Sequence, residues 1–451
     1  MITAVFFRGE SCVKFFDRKR EIALLREIRG RSRDVAQFSV VTGRRRVGKT
    51  SLISKAYEDE KFVYLFVERQ GEKELCETFK AEIEQKLGIV IHGTPSRFSE
   101  IFEELMKAAE ERSFTVVIDE FQEFLKINAS VFSSIQRLWD LHKSRARINL
   151  VVTGSVHTLM RKLFRNKKAA LYGRETAFMT VSPFTTTVLK EILATYSPKY
   201  TKEDLLALWT FTGGVAKYVE LLIDQKAYTR EKMICAIVKE DSVFLDEGRA
   251  LLVEEFDKEY GVYFSILSAI ARGKTSRNDI EQAIGRQVSG YLARLEEDYA
   301  LIAKRIPFLA KPAAKCARYQ LDDNFLIFWF RFVFRHSFLL QTKGYEQLRE
   351  LIRRDYETFS GFSLERYFKA KFAESGEWTL FGGWWDRKGE NEIDLLAENE
   401  LTGVRRVFEV KRKRKLIDLN RVREKFAAFV RASGEWKRAK PDFVALSMDE
   451  M

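Results

Sequence analysis

One octapeptide constrains the fold of this chain more than any other feature. Gly43-Arg44-Arg45-Arg46-Val47-Gly48-Lys49-Thr50 follows the apolar run QFSVVT (37–42), and SLISKAYE continues from it with helical spacing. Strand, glycine-bounded loop and helix in that order call for a parallel α/β sheet. Glycines let successive backbone N–H groups curl around phosphate oxygens at the positive end of a helix dipole. Lys49 supplies a mobile cation for the β- and γ-phosphates, and Thr50, followed by Ser51, offers a hydroxyl to Mg²⁺. The competing reading is a glycine turn ahead of a helix.

Two further apolar runs support the first. FTVVI (114–118) suits a central strand buried on both faces and ends in Asp119-Glu120. Asp119 is placed to hold a magnesium shell, and Glu120 to polarise an attacking water as general base. INLVVTGS (148–155) is another apolar strand ending in small polar residues. Thr153 or Ser155 could sense a γ-phosphate there, though a turn would use the same residues. For Asp119-Glu120 the alternative is a surface acidic pair at a strand end.

FFDRKREIALLREI, GRRRVGKTSLI, VVIDEFQEF, LVVTGS, LYGRETAFMTVSPF and TGGVAKYVELL occur in that order. Together they resemble the archaeal-type ATPase family, a branch of the AAA+/STAND P-loop NTPases, over residues 15 to about 240. The resemblance implies ATP and Mg²⁺ as cofactors and a helical lid. It also implies an additional-strand sheet, with the acid-bearing and sensor strands beside the P-loop strand. It places Phe16, Asp17 and Arg18 near the adenine, and makes Arg174 the candidate arginine for the γ-phosphate. A salt bridge from Arg174 to a neighbour such as Glu175 is the alternative. Asp17 stands where the family has a small residue, and the lid motif GGxP reads Gly213-Gly214-Val215-Ala216.

Composition bounds the remainder. With 451 residues, 46% hydrophobic and 32% charged, the chain is neither disordered nor collagen-like. Cys12, Cys76, Cys235 and Cys316 form no CxxC pair, which argues against a zinc knuckle or a disulfide framework and for a reduced, cytoplasmic setting. The opening MITAVFFRGESC is expected to be no secretory leader. NFLIFWFRFVFRHSFLL (324–340) is interrupted by Arg331, Arg335 and His336, short of the roughly 18 apolar residues a membrane span needs. It reads as a buried aromatic helix, with no membrane partner. The net charge is +13, and residues 405–440 hold 14 Lys or Arg against 4 Asp or Glu, so most of the surplus is local. Such a patch attracts phosphate backbones by counterion release, or is a solvated face.

Short helical patterns at 264–273, 276–284 and 286–302 precede a hairpin made of AKRIPF, a basic turn around Lys311 to Lys315, and ARYQLDD. This spells a winged helix–turn–helix, with Gln287, Ser289 and Arg294 on its third helix, where DNA readers contact a groove. A spacer or dimerising module is the alternative. Further on, an amphipathic helix (361–372) carries Glu365, then EIDLLAE (392–398) and RVFEVKRK (406–413) follow. Alternation places Asp394, Glu409 and Lys411 on one sheet face, where two carboxylates, a lysine and the Val410 carbonyl could hold Mg²⁺ and align a water. A helix at 418–430 would bury Leu419, Val422, Phe426 and Phe429 and turn Arg421, Arg423 and Lys425 outward. The pattern is similar to the PD-(D/E)xK nuclease superfamily. A fold that binds without cutting, or a plain charged strand, is the other possibility.

The expected organisation is therefore an ATPase core (1–183), a helical lid (184–257), a winged helix (258–322) and a nuclease-like α/β domain (323–451). The expected function is Mg²⁺-dependent ATP hydrolysis coupled to nucleic acid, DNA in preference to RNA, with homo-oligomerisation left open. The competing function is a regulatory switch that binds DNA or protein and cuts nothing.

Overall fold

The computed structural model describes residues 14–256, 260–311 and 316–451. The expectations for the opening twelve residues, for a boundary at 257/258 and for the end of the basic turn at Lys315 lie outside the described residues. Two compact units emerge, residues 17–182 and, with Phe16, residues 183–451.

The first unit is a five-stranded sheet of β1 (Gln37–Thr42), β2 (Phe62–Phe66), β3 (Phe114–Asp119), β4 (Ile148–Gly154) and β5 (Ala177–Thr180). The order is β2-β3-β4-β1-β5 and every pairing is parallel. Every residue of β1, β3 and β4 is buried, as a parallel sheet covered on both faces requires. Period-two alternation divides their side chains between two layers: Val40, Val116 and Leu150 join one core, and Val41, Val117 and Val151 the other. Helix Phe98–Glu111 shows why the helices dock, since Phe98, Ile101, Phe102, Leu105 and Ala109 recur on one buried stripe. One expectation changes here. Of the acid-bearing strand β3 and the strand β4 that carries Thr153, β4 alone lies beside the P-loop strand β1, because it is inserted between β1 and β3; β5 flanks β1 on the other side.

The second unit begins with five helices between Thr186 and Phe256, of which Lys202–Thr212 is buried along most of its length. This helix ends at Gly213 and Gly214, with φ of +57° and +77°. A Cβ on Gly214 would collide with the Phe184 carbonyl, so glycine is sterically required at this position. Helices Tyr260–Ala271, Arg277–Ile284 and Ser289–Glu297 come next, followed by the antiparallel pair β6 (Ile302–Arg305) and β7 (Arg318–Leu321). Gln287, Ser289 and Arg294 are exposed. The aromatic stretch is buried but not one α-helix: Asn324–Phe328 is α-helical, Trp329–Val333 forms a π turn, Phe334–His336 a 3₁₀ turn, and Ser337–Gln341 resumes the helix. Consecutive bulky rings there pack in several directions, Trp329 against Phe264 and Phe328 against Phe211.

The 31-residue helix Tyr345–Ser375 leads into β8 (Leu380–Trp385), β9 (Glu392–Asn399), β10 (Val404–Val410) and β11 (Asp442–Leu446). Their order is β11-β10-β9-β8, antiparallel except for the β10–β11 pair, whose crossover is helix Leu419–Ser433. One contiguous core runs from Leu205 and Phe211 through Tyr263 to Phe408 and Leu446. It joins the segments expected as lid, winged helix and C-terminal domain into a single unit.

Candidate active site

The loop after β1 owes its shape to its glycines. Gly43 has φ of +150°, and a Cβ there would collide with the Val181 carbonyl oxygen at the end of β5. Gly48 caps helix Lys49–Ala56 at φ +93°, which leaves that helix's first N–H groups directed at the loop. Lys49 is buried, and its Nζ donates to the carbonyls of Gly43 (2.9 Å) and Arg44 (3.2 Å). Arg44, Arg45, Arg46 and Val47 complete the turn, Arg46 in the left-handed region and Val47 in the core. Arg18 anchors the loop from below. Its guanidinium is buried and donates to the carbonyls of Ser182 (2.6 Å) and Val47 (3.3 Å). Asp17 is exposed with φ of +60°, a torsion that favours small residues and that aspartate tolerates. Phe16 belongs to the second unit, where its ring meets Tyr196 edge-on at 6.0 Å.

The acids stand at the end of β3. Asp119 Oδ1 accepts the N–H of Glu120 at 2.8 Å, and Oδ2 accepts the Tyr64 hydroxyl. That hydroxyl is also 3.4 Å from Thr50 Oγ1. Thr50 and Asp119 therefore bracket one hydroxyl, and their hard oxygens fit a small octahedral cation that keeps waters and phosphate oxygens in its shell. Burial pushes the Asp119 carboxyl up, partly offset by the bond from Tyr64. Burial, and then the Asp119 charge, push the Tyr64 phenol up as well.

Glu120 sits at φ +51°, an uncommon torsion for a non-glycine residue that costs on the order of 1 kcal/mol. Its Oε2 accepts from Gln122 Nε2 and from Ser155 Oγ, the latter at 2.8 Å. Ser155 thus reaches the Glu120 side chain. The Thr153 hydroxyl is buried with no partner among the described residues. Arg174 donates from Nη2 to Asp140 at 2.6 Å and from Nη1 to the Ala170 carbonyl at 2.8 Å. Its acidic neighbour Glu175 pairs with Arg165 instead.

The second constellation lies in the C-terminal sheet. Pairing of β9 with β10 runs from Asn399↔Val404 to Leu395↔Phe408. Beyond that register the Val410 N–H donates to Asp394 Oδ2 at 2.8 Å, so a side chain replaces the backbone ladder where the strands part. Lys411 Nζ lies 3.2 Å from Asp394 and 3.1 Å from Glu409, and its third contact, 3.1 Å, is the Val410 carbonyl. Burial alone would lower the Lys411 ammonium, and the two carboxylates outweigh it and raise it. Burial, and after it the Asp394 charge, push Glu365 up to about 8. The expected face therefore exists: Asp394, Glu409 and Lys411 do meet.

One expectation for this face is corrected. Lys425 does not point outward, since its Nζ grips both Glu409 oxygens at 3.1 and 3.2 Å. Among the described residues, no group of three or more His, Cys, Asp or Glu side chains is set to hold a metal. Lys411 pairs with Asp394 and Glu409, and Lys425 with Glu409. The Val410 carbonyl is likewise turned to Lys411.

Sequence reasoning missed Tyr64, Gln122 and the inward turn of Lys425. Tyr64 carries one weak signal: it is two residues from the end of the strand that neighbours the acid-bearing one. Lys425 carries none, because its partner lies 16 residues earlier on another element.

The fold and the loop define a P-loop nucleoside triphosphatase of the additional-strand type. Residues 15–222 match the ATPase domain family found predominantly in Archaea, and with the phosphate loop this makes the chain an ATP-binding and ATP-hydrolysing protein. Residues 329–426 match a family of archaeal and bacterial proteins of unknown function. A relative from Methanocaldococcus jannaschii, the uncharacterised protein MJECL04, is 28% identical over 396 residues, covering 86% of this chain and 84% of the relative. Among solved structures, a Walker-type ATPase of Pyrococcus abyssi superposes with a TM-score of 0.54 at 19% identity, over 70% of this chain and 96% of that one. The ORC2 protein of Aeropyrum pernix, solved in ADPNP–ADP complexes, gives 0.51 at 16% identity, over 73% and 97%. At such identities the likeness concerns the fold alone. No helix among the described residues is long and apolar enough to cross a membrane.

Proposed function

We propose that this ATPase requires Mg²⁺ at the P-loop and that its nucleotide state governs a nucleic-acid-binding C-terminal region. The observation that carries the first half is the meeting of Thr50, Asp119 and Tyr64 at the mouth of the loop held by Lys49. When bound, Mg²⁺ would offset phosphate charge between Thr50 and Asp119. Lys49 exchanges its carbonyl contacts for the β- and γ-phosphates. Glu120, oriented by Gln122 and Ser155, takes the proton of the attacking water. The unpartnered Thr153 hydroxyl is suited to a γ-phosphate oxygen, and Arg174 serves there only on leaving Asp140.

The second half rests on exposed charge. Lys413, Lys415, Arg421, Arg423, Lys437 and Arg438 are all exposed near the C-terminal sheet, which suits a phosphate backbone, with DNA favoured by the wing-like segment before it. Binding without cutting is the reading the ion-paired carboxylates favour. Cleavage is the second reading, favoured by the convergence of Asp394, Glu409 and Lys411 on one face. ATP turnover measured with and without duplex DNA, beside a cleavage gel and a salt series of DNA binding, tests both. A steep salt dependence with intact DNA supports the switch, cleavage supports the second reading, and neither binding nor cleavage overturns the nucleic-acid proposal.

A further inference from the structure

Among the described residues, Tyr64 is the side chain that touches both oxygen donors at the mouth of the P-loop, and no motif includes it. It lies on β2, an edge strand of the sheet, two residues before the position opposite Asp119, since Phe66 pairs with Asp119 and Tyr64 with Val117. Its ring packs against the layer that holds Leu52, Val117 and Val151. Its hydroxyl emerges from that layer, donates to Asp119 Oδ2 and stands 3.4 Å from Thr50 Oγ1. With Oδ1 held by the Glu120 N–H, both oxygens of a buried carboxylate have a donor. The Asp119 carboxylate is thereby fixed in one orientation.

We infer that Tyr64 is a positioning residue of the ATPase, orienting Asp119 toward the cation that accompanies the nucleotide. The inference rests on the proposal that Thr50 and Asp119 face Mg²⁺, and it adds a partner behind them. A ligand carboxylate that swings freely must be ordered when the cation arrives, and a hydroxyl already bonded to it removes that cost. Outer-shell partners of this kind change metal affinity by about 10- to 100-fold when removed. The phosphate contacts of Lys49 and of the loop N–H groups do not pass through Tyr64, so affinity for nucleotide without metal is independent of it.

The test uses the full chain and a fluorescent ATP analogue, with the affinity measured in EDTA and then against increasing Mg²⁺. Tyr64→Phe removes one oxygen and keeps the packed ring. The expected result is unchanged affinity in EDTA, within about twofold, and a midpoint in Mg²⁺ raised about tenfold. Thr50→Ala, which removes a direct donor, should abolish the Mg²⁺-dependent gain, and a thermal melt confirms that each variant folds. An unchanged Mg²⁺ midpoint in Tyr64→Phe would make Tyr64 a packing residue only and overturn the inference. A lower midpoint would overturn it in the other direction, with the hydroxyl an obstacle to the cation. Failure of the parental protein to respond to Mg²⁺ would remove the metal reading itself, and the inference with it.

Discussion

The phosphate loop and the carboxylate–lysine cluster are both polar sites at strand ends, and they are made in opposite ways. The loop is contiguous in sequence, and its binding groups are mainly backbone N–H donors shaped by the torsions of Gly43 and Gly48. The cluster draws side chains from four elements, Glu365 on the long helix, Asp394 on β9, Glu409 at the end of β10 and Lys425 on the last helix. Lys411 and Lys425 answer the charges of Asp394 and Glu409 within the protein. Backbone donors oriented by a helix terminus favour an incoming anion, whereas a cluster whose charges are matched internally must break an ion pair before it engages anything else. The first site is built for a ligand, and the second contributes first to the fold of its sheet.

The largest expected effect falls on the loop. Lys49→Ala should lower kcat/KM for ATP by about 100-fold or more, from loss of a phosphate-directed cation. Its folding stability should change by no more than about 1 kcal/mol, because the side chain's contacts are loop carbonyls. Steady-state turnover beside a denaturant titration separates the two effects. Parental turnover in a folded variant would erase the contrast.

Asp394→Ala should do the reverse. It orphans the Val410 N–H and removes one partner of Lys411, which predicts a stability loss of about 1–3 kcal/mol with ATP turnover within about twofold of the parent. Arg421→Glu combined with Arg423→Glu, both exposed, should leave stability alone. That pair should instead weaken DNA binding and flatten its salt slope by about 0.9 for each phosphate no longer neutralised. Lys425 is left out of the reversal because Glu409 holds it.

The smallest expected effect is a pH dependence. Glu365 is pushed up to about 8 in the folded protein from an ordinary 4.5, so the folded state binds this proton more tightly than the unfolded chain. The associated stability is present in full below about pH 4.5 and is lost as pH rises toward 8. Glu365→Gln does not titrate and should avoid this loss. In EDTA, urea midpoints at pH 5 and pH 8.5 should show the parent losing stability relative to the variant as pH rises. A constant difference would mean that Glu365 is ionised throughout.

How much of this was legible in the sequence follows the same division. The loop from Gly43 to Thr50, strands β1, β3 and β4, and the acids Asp119 and Glu120 were readable because local pattern dictates them: buried parallel strands are continuous apolar runs, and a phosphate loop needs glycines at fixed offsets. Asp394, Glu409 and Lys411 could be placed on one face by alternation along two adjacent strands. What alternation cannot supply is the occupant of the space between them. Lys425 reads as exposed by helical spacing, yet a lysine stem is long enough to turn back to Glu409. The 324–340 segment shows the same limit. Its hydrophobicity announced burial, whereas its break into α, π and 3₁₀ turns depends on which rings it meets. Tyr64 escaped notice because a tyrosine in an edge strand is ordinary until the neighbouring strand puts an aspartate within reach of its hydroxyl.

The central claim, that the loop site performs chemistry with Glu120 as its base, is tested most directly by Glu120→Gln under single-turnover conditions with ATP binding measured on the same sample. The substitution keeps side-chain length and hydrogen-bonding reach toward Gln122 and Ser155 and removes only the carboxylate. ATP should bind within about threefold of the parental affinity while the hydrolysis step slows by about 10²- to 10⁴-fold. Hydrolysis at the parental rate in a variant that binds ATP normally would contradict the account and place the base on another residue.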